Sequence, residues 1–235
     1  MGSSRFPGKP MSKIHNYPMI EHVYKNSLSH DWDTYIATCD KVIFDFIKSI
    51  NGKVVMTSKK HKRAADRSAE ALENIEKISK KKYDIIVMVQ GDEPMIDTQM
   101  IKTAIKTLIK SKDADVVNLY SEIKNKDEFY NKNIVKVIFN KNKEALFFVR
   151  KPSNSFFVLK KSNFIGKQVC VIPFRKQALK KFIKLKPTNL EIVESVDMFR
   201  LIENGIKIKL AKCNKKTYCV DVRADIKVVE KFIKL

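Results

Sequence analysis

Short runs of β-branched and aromatic residues alternate along the chain with longer segments whose apolar positions recur every three or four residues. The short runs predict strands at Lys53–Ser58, Tyr83–Gln90, Ala114–Tyr120, Val135–Asn140, Ala145–Arg150, Lys167–Phe174, Lys207–Cys213 and Tyr218–Val222. The longer segments predict helices in PMIEHVYKNSL, DKVIFDFIKSI, RSAEALENIEKI, TQMIKTAIKTLIK, NLEIVESVDMFRLIENG and the closing DIKVVEKFIKL. Inside Tyr83–Gln90 the stretch IIVMV has no polar position, the pattern of a strand buried on both faces in the middle of a parallel sheet. Strand and helix alternate through the first half, which predicts a doubly wound α/β sheet with right-handed crossovers. From Ala114 to Arg150 the strands follow one another with little helix between them, so an antiparallel excursion is expected around 114–175. No internal repeat or low-complexity linker interrupts the pattern, and the chain reads as a single domain over 1–235.

A chain of 235 residues can bury an ample core. No apolar run reaches the roughly 20 residues of a membrane span, and no charged-then-apolar signal segment opens the chain, so the expectation is a cytoplasmic protein without a membrane partner. Cys39, Cys170, Cys213 and Cys219 show neither C-x-x-C spacing nor a nearby histidine pair, so neither a zinc site nor a disulfide framework is expected; they read as reduced and mostly packed. The net charge of +21 raises nucleic-acid binding as a hypothesis. Its lysines are nevertheless spread through every segment, as in ISKKKYD, TLIKSKDAD and LKKFIKLK, rather than gathered on one, and nucleic acid is the less favoured partner. Such a charge also attracts a small polyanion such as a nucleoside triphosphate.

Three stretches carry chemistry. In IIVMVQGDEPMID an apolar strand ends in Gln90, Gly91, Asp92, Glu93 and Pro94, at the carboxyl end of a strand where open α/β sheets bind ligands. Asp92 there is placed to hold Mg²⁺, a hard ion bound by one or two carboxylates and substrate phosphates; the competing reading is an ordinary Asp-Glu-Pro turn. In YCVDVRADI, Asp221 stands in a short apolar run before the last helix, where it could join Asp92 on one metal; a helix cap is the competing role, and Asp225 fits that role better. The opening MGSSRFPGKP supplies glycines that let backbone approach a phosphate, hydroxyls at Ser3 and Ser4, and charged donors at Arg5 and Lys9. It lacks the spacing of a Walker loop, and a vector-derived leader is its rival reading.

Taken in order, SSRFPGKP, PMIEHVY, VMTSKKH with the following DR, VQGDEP, NIVKVIFN, LEIVESVDMFRLIENG and the VD before the closing helix resemble the 3-deoxy-manno-octulosonate (Kdo) cytidylyltransferases, the CMP-Kdo synthetase family. The resemblance runs over nearly the whole chain. It implies a Rossmann-like nucleotidyltransferase fold, a mixed and mostly parallel sheet flanked by helices. It implies an enzyme that joins a 2-keto sugar acid to CTP, gives the CMP-sugar and pyrophosphate, uses Mg²⁺ and forms a homodimer, with a role in lipopolysaccharide or surface polysaccharide synthesis. On the family's R-x-x-S-x-R-x-P-G-K loop the match puts nucleotide contacts at Ser3, Arg5 and Lys9, with Lys9 also catalytic. The intact Q-G-D-E-P implies that Gln90 helps read the nucleotide and that Asp92 is a catalytic metal ligand; the family's V-D implies the same for Asp221. N-x-V-K-V is present as Asn133–Val137. Arg150 stands at the arginine of the family's F-S-R segment, and Glu191 and Glu194 lie where the family shapes its sugar pocket and dimer contact.

Three departures qualify the match. The family's H-x-S-G-T-[DE]-R is HKRAADR, keeping His61, Asp66 and Arg67, the last a nucleotide contact by the resemblance, but replacing the serine, glycine and threonine with Arg63, Ala64 and Ala65. The sugar-binding H-I-G-x-Y strand is QVCVI, with Gln168 for the histidine and Ile172 for the tyrosine, which opens the choice of acid to a related ulosonic acid. The family begins with a strand ending in I-P-A-R, whereas this chain starts just after that arginine, so a first central strand is expected to be missing and the natural protein to be longer. With the altered loop, this leaves a degenerate nucleotide-binding relative as the competing functional reading.

Overall fold

The structure is a computed structural model that describes residues 6–233, the side chain of Lys161 excepted. Its elements in chain order begin with a hairpin of β1 (Lys13–Ile14) and β2 (Tyr17–Pro18), then α1 (Met19–Asn26), β3 (Ile36–Thr38), α2 (Lys41–Ser49), β4 (Val54–Met56) and α3 (Ala64–Ser79). There follow β5 (Ile85–Val89), α4 (Thr98–Lys110), β6 (Val116–Ser121), α5 (Lys126–Tyr130), β7 (Lys136–Phe139), β8 (Ala145–Val149) and α6 (Phe157–Lys161). The chain closes with β9 (Ile165–Val169), β10 (Val171–Arg175), α7 (Lys176–Phe182), α8 (Asn189–Glu194), α9 (Phe199–Ile202), β11 (Ile208–Cys213) and α10 (Arg223–Glu230). Among the described residues no helix is long and apolar enough to cross a membrane.

The chain divides into two compact units, one of residues 1–82, 89–101 and 216–235, the other of residues 83–88 and 102–215. In the first, β3 and β4 pair in parallel, Ile36 opposite Val54. α2 starts at Asp40, whose carboxylate accepts the Val42 N–H, and buries Ile43 and Ile47 with Ile20 and Val54. A second cluster holds Phe6, Ile14, Met19, Val220 and Val229, with Met95 and Tyr218 against it. This cluster positions the site, because it draws the first described residues, the turn after β5 and the segment before α10 onto one apolar nucleus.

The second unit is built on a seven-stranded sheet of order β5-β10-β6-β9-β7-β8, with β11 on β6. β11 runs parallel to β6 along its whole length, Ile208 opposite Val116 through Cys213 opposite Ser121. The other pairings around β6, β7, β8, β9 and β10 are antiparallel, so the excursion expected around 114–175 makes up most of this sheet. Every residue of β6 is buried. β5, read from its unbroken apolar run as a central strand, instead ends the strand order and is mostly half-buried. An apolar run reports how much burial a strand asks for; the neighbours that supply it are chosen by the topology.

Two predicted elements break. NLEIVESVDMFRLIENG forms α8 and α9 with Ser195 between them at φ 54°, a left-handed backbone that no continuous helix tolerates. Tyr218–Val222 forms no strand. Its alternating pattern suits any extended chain with one buried side, and its amides are taken elsewhere: Val220 N–H donates to Asp92 O at 2.9 Å, while the Asp225 carboxylate accepts from Asp221 and Val222 N–H at 2.8 and 2.9 Å.

Candidate functional site

Three segments of the first unit converge on Lys9. Gly8, at φ 73°, turns the chain into a short 3₁₀ turn, Lys9–Met11, a conformation that glycine adopts at little cost. The turn sends Lys9 inward: its Nζ donates to Asp92 Oδ2 at 2.7 Å and to Val220 O at 2.9 Å, and the residue keeps only 8% of its surface exposed. Asp92 sits in the turn that follows β5, closed by Glu93 N–H on Gln90 O, and its own carbonyl accepts from Val220. The hydrogen bonds thus tie residue 9 to residues 92 and 220 on both sides.

A thiol completes the group. One ligand atom from each of Asp92, Cys219 and Asp221 lies within 4.8 Å of the others. Cys219 and Asp221, two residues apart, both bring a ligand atom to Asp92. Asp225 has already capped α10, so the competing role for Asp221 belongs to its neighbour. Burial lowers the Lys9 pKa, but the Asp92 charge and hydrogen bond, helped by Cys219 and Asp221, outweigh it and hold Lys9 above its ordinary value. Lys9 is therefore an ammonium at neutral pH, one positive charge among two carboxylates.

These residues fit a divalent cation. Asp92 gives Oδ2 to Lys9, while its Oδ1 is shielded from solvent and has no hydrogen-bond partner. An unpaired buried carboxylate oxygen is costly, and a cation held by Asp92 and Asp221 relieves that cost. Cys219 is the member that the spacing of the cysteines did not reveal; its signal was its place two residues before Asp221.

The other expected nucleotide contacts are placed less completely. Ser3 and Arg5 lie outside the described residues. Gln90 is half-buried at the end of β5. Arg67, in the first turns of α3, donates from Nη1 to Thr57 Oγ1 at 2.5 Å and to Ser58 O at 3.3 Å. Beside it the Glu70 carboxylate takes the Ser58 N–H and the His61 ring, the His61 bond foremost in lowering its pKa. Arg67, His61 and Glu70 therefore brace the 57–63 loop that leads into α3, with HKRAADR running from the loop into the helix.

The residues expected at the sugar lie in the second unit, and most are already engaged there. Arg150 donates from Nε to Glu194 O at 2.7 Å and from Nη1 to Asn133 O at 3.3 Å, while its backbone N–H meets Glu194 Oε2 at 2.9 Å. Glu191 is wholly buried and forms a two-pronged pair with Arg200, at 2.6 and 2.8 Å. Gln168 Nε2 donates to Asn118 Oδ1 at 2.6 Å. Lys136, in the N-x-V-K-V run, and Lys167, which the sequence offered beside Gln168 for a carboxylate contact, lie opposite each other on β7 and β9, both buried. Lys167 pairs with Glu128 at 2.9 Å; Lys136 donates to Asn131 O, Ile134 O and Arg150 O, and burial, helped by Arg150, lowers its pKa to about 8.

The sequence model of the family described as Cytidylyltransferase matches residues 1–208. The 3-deoxy-manno-octulosonate cytidylyltransferase of Thermodesulfovibrio yellowstonii is 37% identical over 98% of this chain and 93% of its own length. The enzyme of that name from Fusobacterium nucleatum is 34% identical over 99% and 93%. A solved CMP:2-keto-3-deoxy-manno-octonic acid synthetase complexed with CTP superposes with a TM-score of 0.83 at 29% identity, covering 98% of this chain and 93% of that one. A putative glucose-1-phosphate thymidylyltransferase from Bacillus anthracis, 14% identical with a TM-score of 0.66, shares the fold.

Proposed function

The chain belongs to the cytidylyltransferase family, and from that premise we propose that it joins a 2-keto sugar acid, 3-deoxy-manno-octulosonate or a close relative, to CTP. Its fold is the mixed α/β fold of the nucleotidyltransferases. The observation that carries the reading is Lys9, a buried ammonium fixed between Asp92 and the Val220–Asp221 segment.

In the reaction the anomeric hydroxyl of the sugar acid attacks the α-phosphorus of CTP in line. A phosphorus–oxygen bond to the sugar forms, the bond from the α-phosphorus to the α–β bridging oxygen breaks, pyrophosphate leaves and the hydroxyl proton passes to solvent. Catalysis is positioning and charge neutralisation, and no protein nucleophile is required. Lys9 supplies fixed positive charge to phosphate oxygens; Ser3 and Arg5 extend that grip, and Gln90 and Arg67 address the nucleoside. Asp92 and Asp221 would hold Mg²⁺, which would offset phosphate charge and make the attacking hydroxyl more acidic. Arg150 and Glu191 serve the sugar pocket by fixing its walls, since their polar atoms are engaged within the protein. Glu194 and Gln168, likewise engaged with Arg150 and Asn118, are assigned to the same pocket. The setting we assign is a cytoplasmic homodimer feeding lipopolysaccharide or capsule synthesis.

A second reading, a related ulosonic acid as the substrate, is favoured by Gln168, whose amide nitrogen is already bound to Asn118. Incubation with CTP, Mg²⁺ and a panel of 2-keto sugar acids, with pyrophosphate measured, tests both. Release with Kdo supports the first, and release with another acid alone supports the second. No release with any acid, while CTP still raises the melting temperature, overturns both in favour of a nucleotide-binding relative without turnover.

A further inference from the structure

Cys219 adds to the Asp92 and Asp221 pair a donor that a hard ion has little use for. We infer that this cluster is a binding site for a thiophilic divalent cation, of the zinc and cadmium class, held by Cys219 Sγ together with the two carboxylates. The inference rests on the reading of Asp92 and Asp221 as metal-holding residues.

The donors are close and constrained. Ligand atoms of all three residues fall within 4.8 Å. Two donors on one zinc ion, with bonds of about 2.0–2.3 Å, stand at most about 4.5 Å apart, so small side-chain rotations bring the three together. The backbone that carries Cys219 and Asp221 is fixed between them, with Val220 N–H on Asp92 O and Val220 O under Lys9. Asp92 Oδ1, shielded from solvent and without a hydrogen-bond partner, independently points to a cation.

The donor set decides the class of ion. Oxygen-only sites suit Mg²⁺ and Ca²⁺, whereas a thiolate selects softer ions. Binding converts the thiol to a metal-bound thiolate and releases one proton, leaving the oxidation state of sulfur and metal unchanged. Such an ion at this position competes with the Mg²⁺ proposed for catalysis, so the chain carries a built-in sensitivity to thiophilic metals.

Titration of the full chain with cadmium chloride, without nucleotide or sugar, tests this through the ultraviolet charge-transfer band of a cadmium–thiolate bond. The expected result is a band that saturates at one ion per chain. It disappears in Cys219→Ser and Cys219→Ala, is unchanged in Cys39→Ser, Cys170→Ser and Cys213→Ser, and needs at least tenfold more cadmium in Asp92→Asn and in Asp221→Asn. A band that survives both Cys219 variants, or that ignores both aspartate variants, overturns the inference. Thermal melts identify which Cys219 variant folds, and either suffices. Since no substrate is present, the result stands apart from pyrophosphate release: loss of turnover leaves the band in place, and loss of the band leaves the transferase reading standing.

Discussion

Replacing Lys9 with methionine removes the one ammonium that ties the three site segments together while keeping a side chain of similar length. Its pair with Asp92 spans 2.7 Å with side-chain exposures of 10% and 21%, and Val220 O also loses its donor. Removing one partner of a buried pair costs about 3–5 kcal/mol, and the residual exposure here puts the cost at about 3 kcal/mol. At about 2–4 °C per kcal/mol for a chain of this size, the melting temperature in EDTA falls by roughly 6–12 °C. The sign with pH follows from the raised Lys9 value: its contribution is fully present below the ordinary value of 10.5 and is lost as pH rises through the folded one. The gap between the two proteins therefore stays constant from roughly pH 6 to 9 and closes only in strong alkali. Saturating Mg²⁺ takes over the neutralisation of Asp92, so it raises the melting temperature of Lys9→Met more than that of the parent chain. Turnover, measured as pyrophosphate release, falls by roughly 10²–10³-fold, because Mg²⁺ does not replace the fixed charge facing the triphosphate. Scanning fluorimetry in EDTA and in Mg²⁺ reads the stability arm. A Lys9→Met melting temperature within about 2 °C of the parent, or equal Mg²⁺ shifts in both, refutes the reasoning.

Four other substitutions probe the remaining groups. Asp92→Asn and Asp221→Asn each lower Mg²⁺-dependent pyrophosphate release by roughly 10²-fold or more, and raising Mg²⁺ recovers little of it. Glu191→Gln removes the carboxylate charge from the buried pair with Arg200, costing about 3 kcal/mol in a chemical denaturation curve. Lys136, with its pKa lowered to about 8, makes the folded state gain stability as pH rises from about 8 towards 10.5, where the unfolded chain still holds the proton; Lys136→Met flattens that slope relative to the parent.

How much of this was legible in the sequence depends on how local the cause is. Helices α2, α3 and α4 followed from apolar spacing, because an amphipathic stripe names its own buried face. QGDEP and VD marked the two carboxylates, since an acidic residue after a strand-ending glycine is a local arrangement. The end position of β5 was not legible: its composition asked for burial, but β6 received the neighbours. The break at Ser195 was hidden for a related reason. Helical spacing runs through 189–205 without interruption, yet turning the chain there lets Glu194 and Ser195 offer carbonyls to Arg150.

Side-chain partnerships are the least local of all, and they separate the two groups of predicted site residues. Asp92 keeps a buried oxygen unpartnered, the state in which a ligand can still improve the balance. Arg150 and Glu191 reached the same kind of motif-based assignment, but carbonyls hold the first and Arg200 holds the second. A group whose donors or acceptors are engaged must break those bonds before it touches substrate, and for a buried charge that costs several kcal/mol. A motif places a residue near a reaction; whether its polar atoms remain available places it in or beside the chemistry. By that criterion Asp92, with Cys219 and Asp221 beside it, is the group left open to a ligand, whereas Arg150 and Glu191 are held by the protein itself.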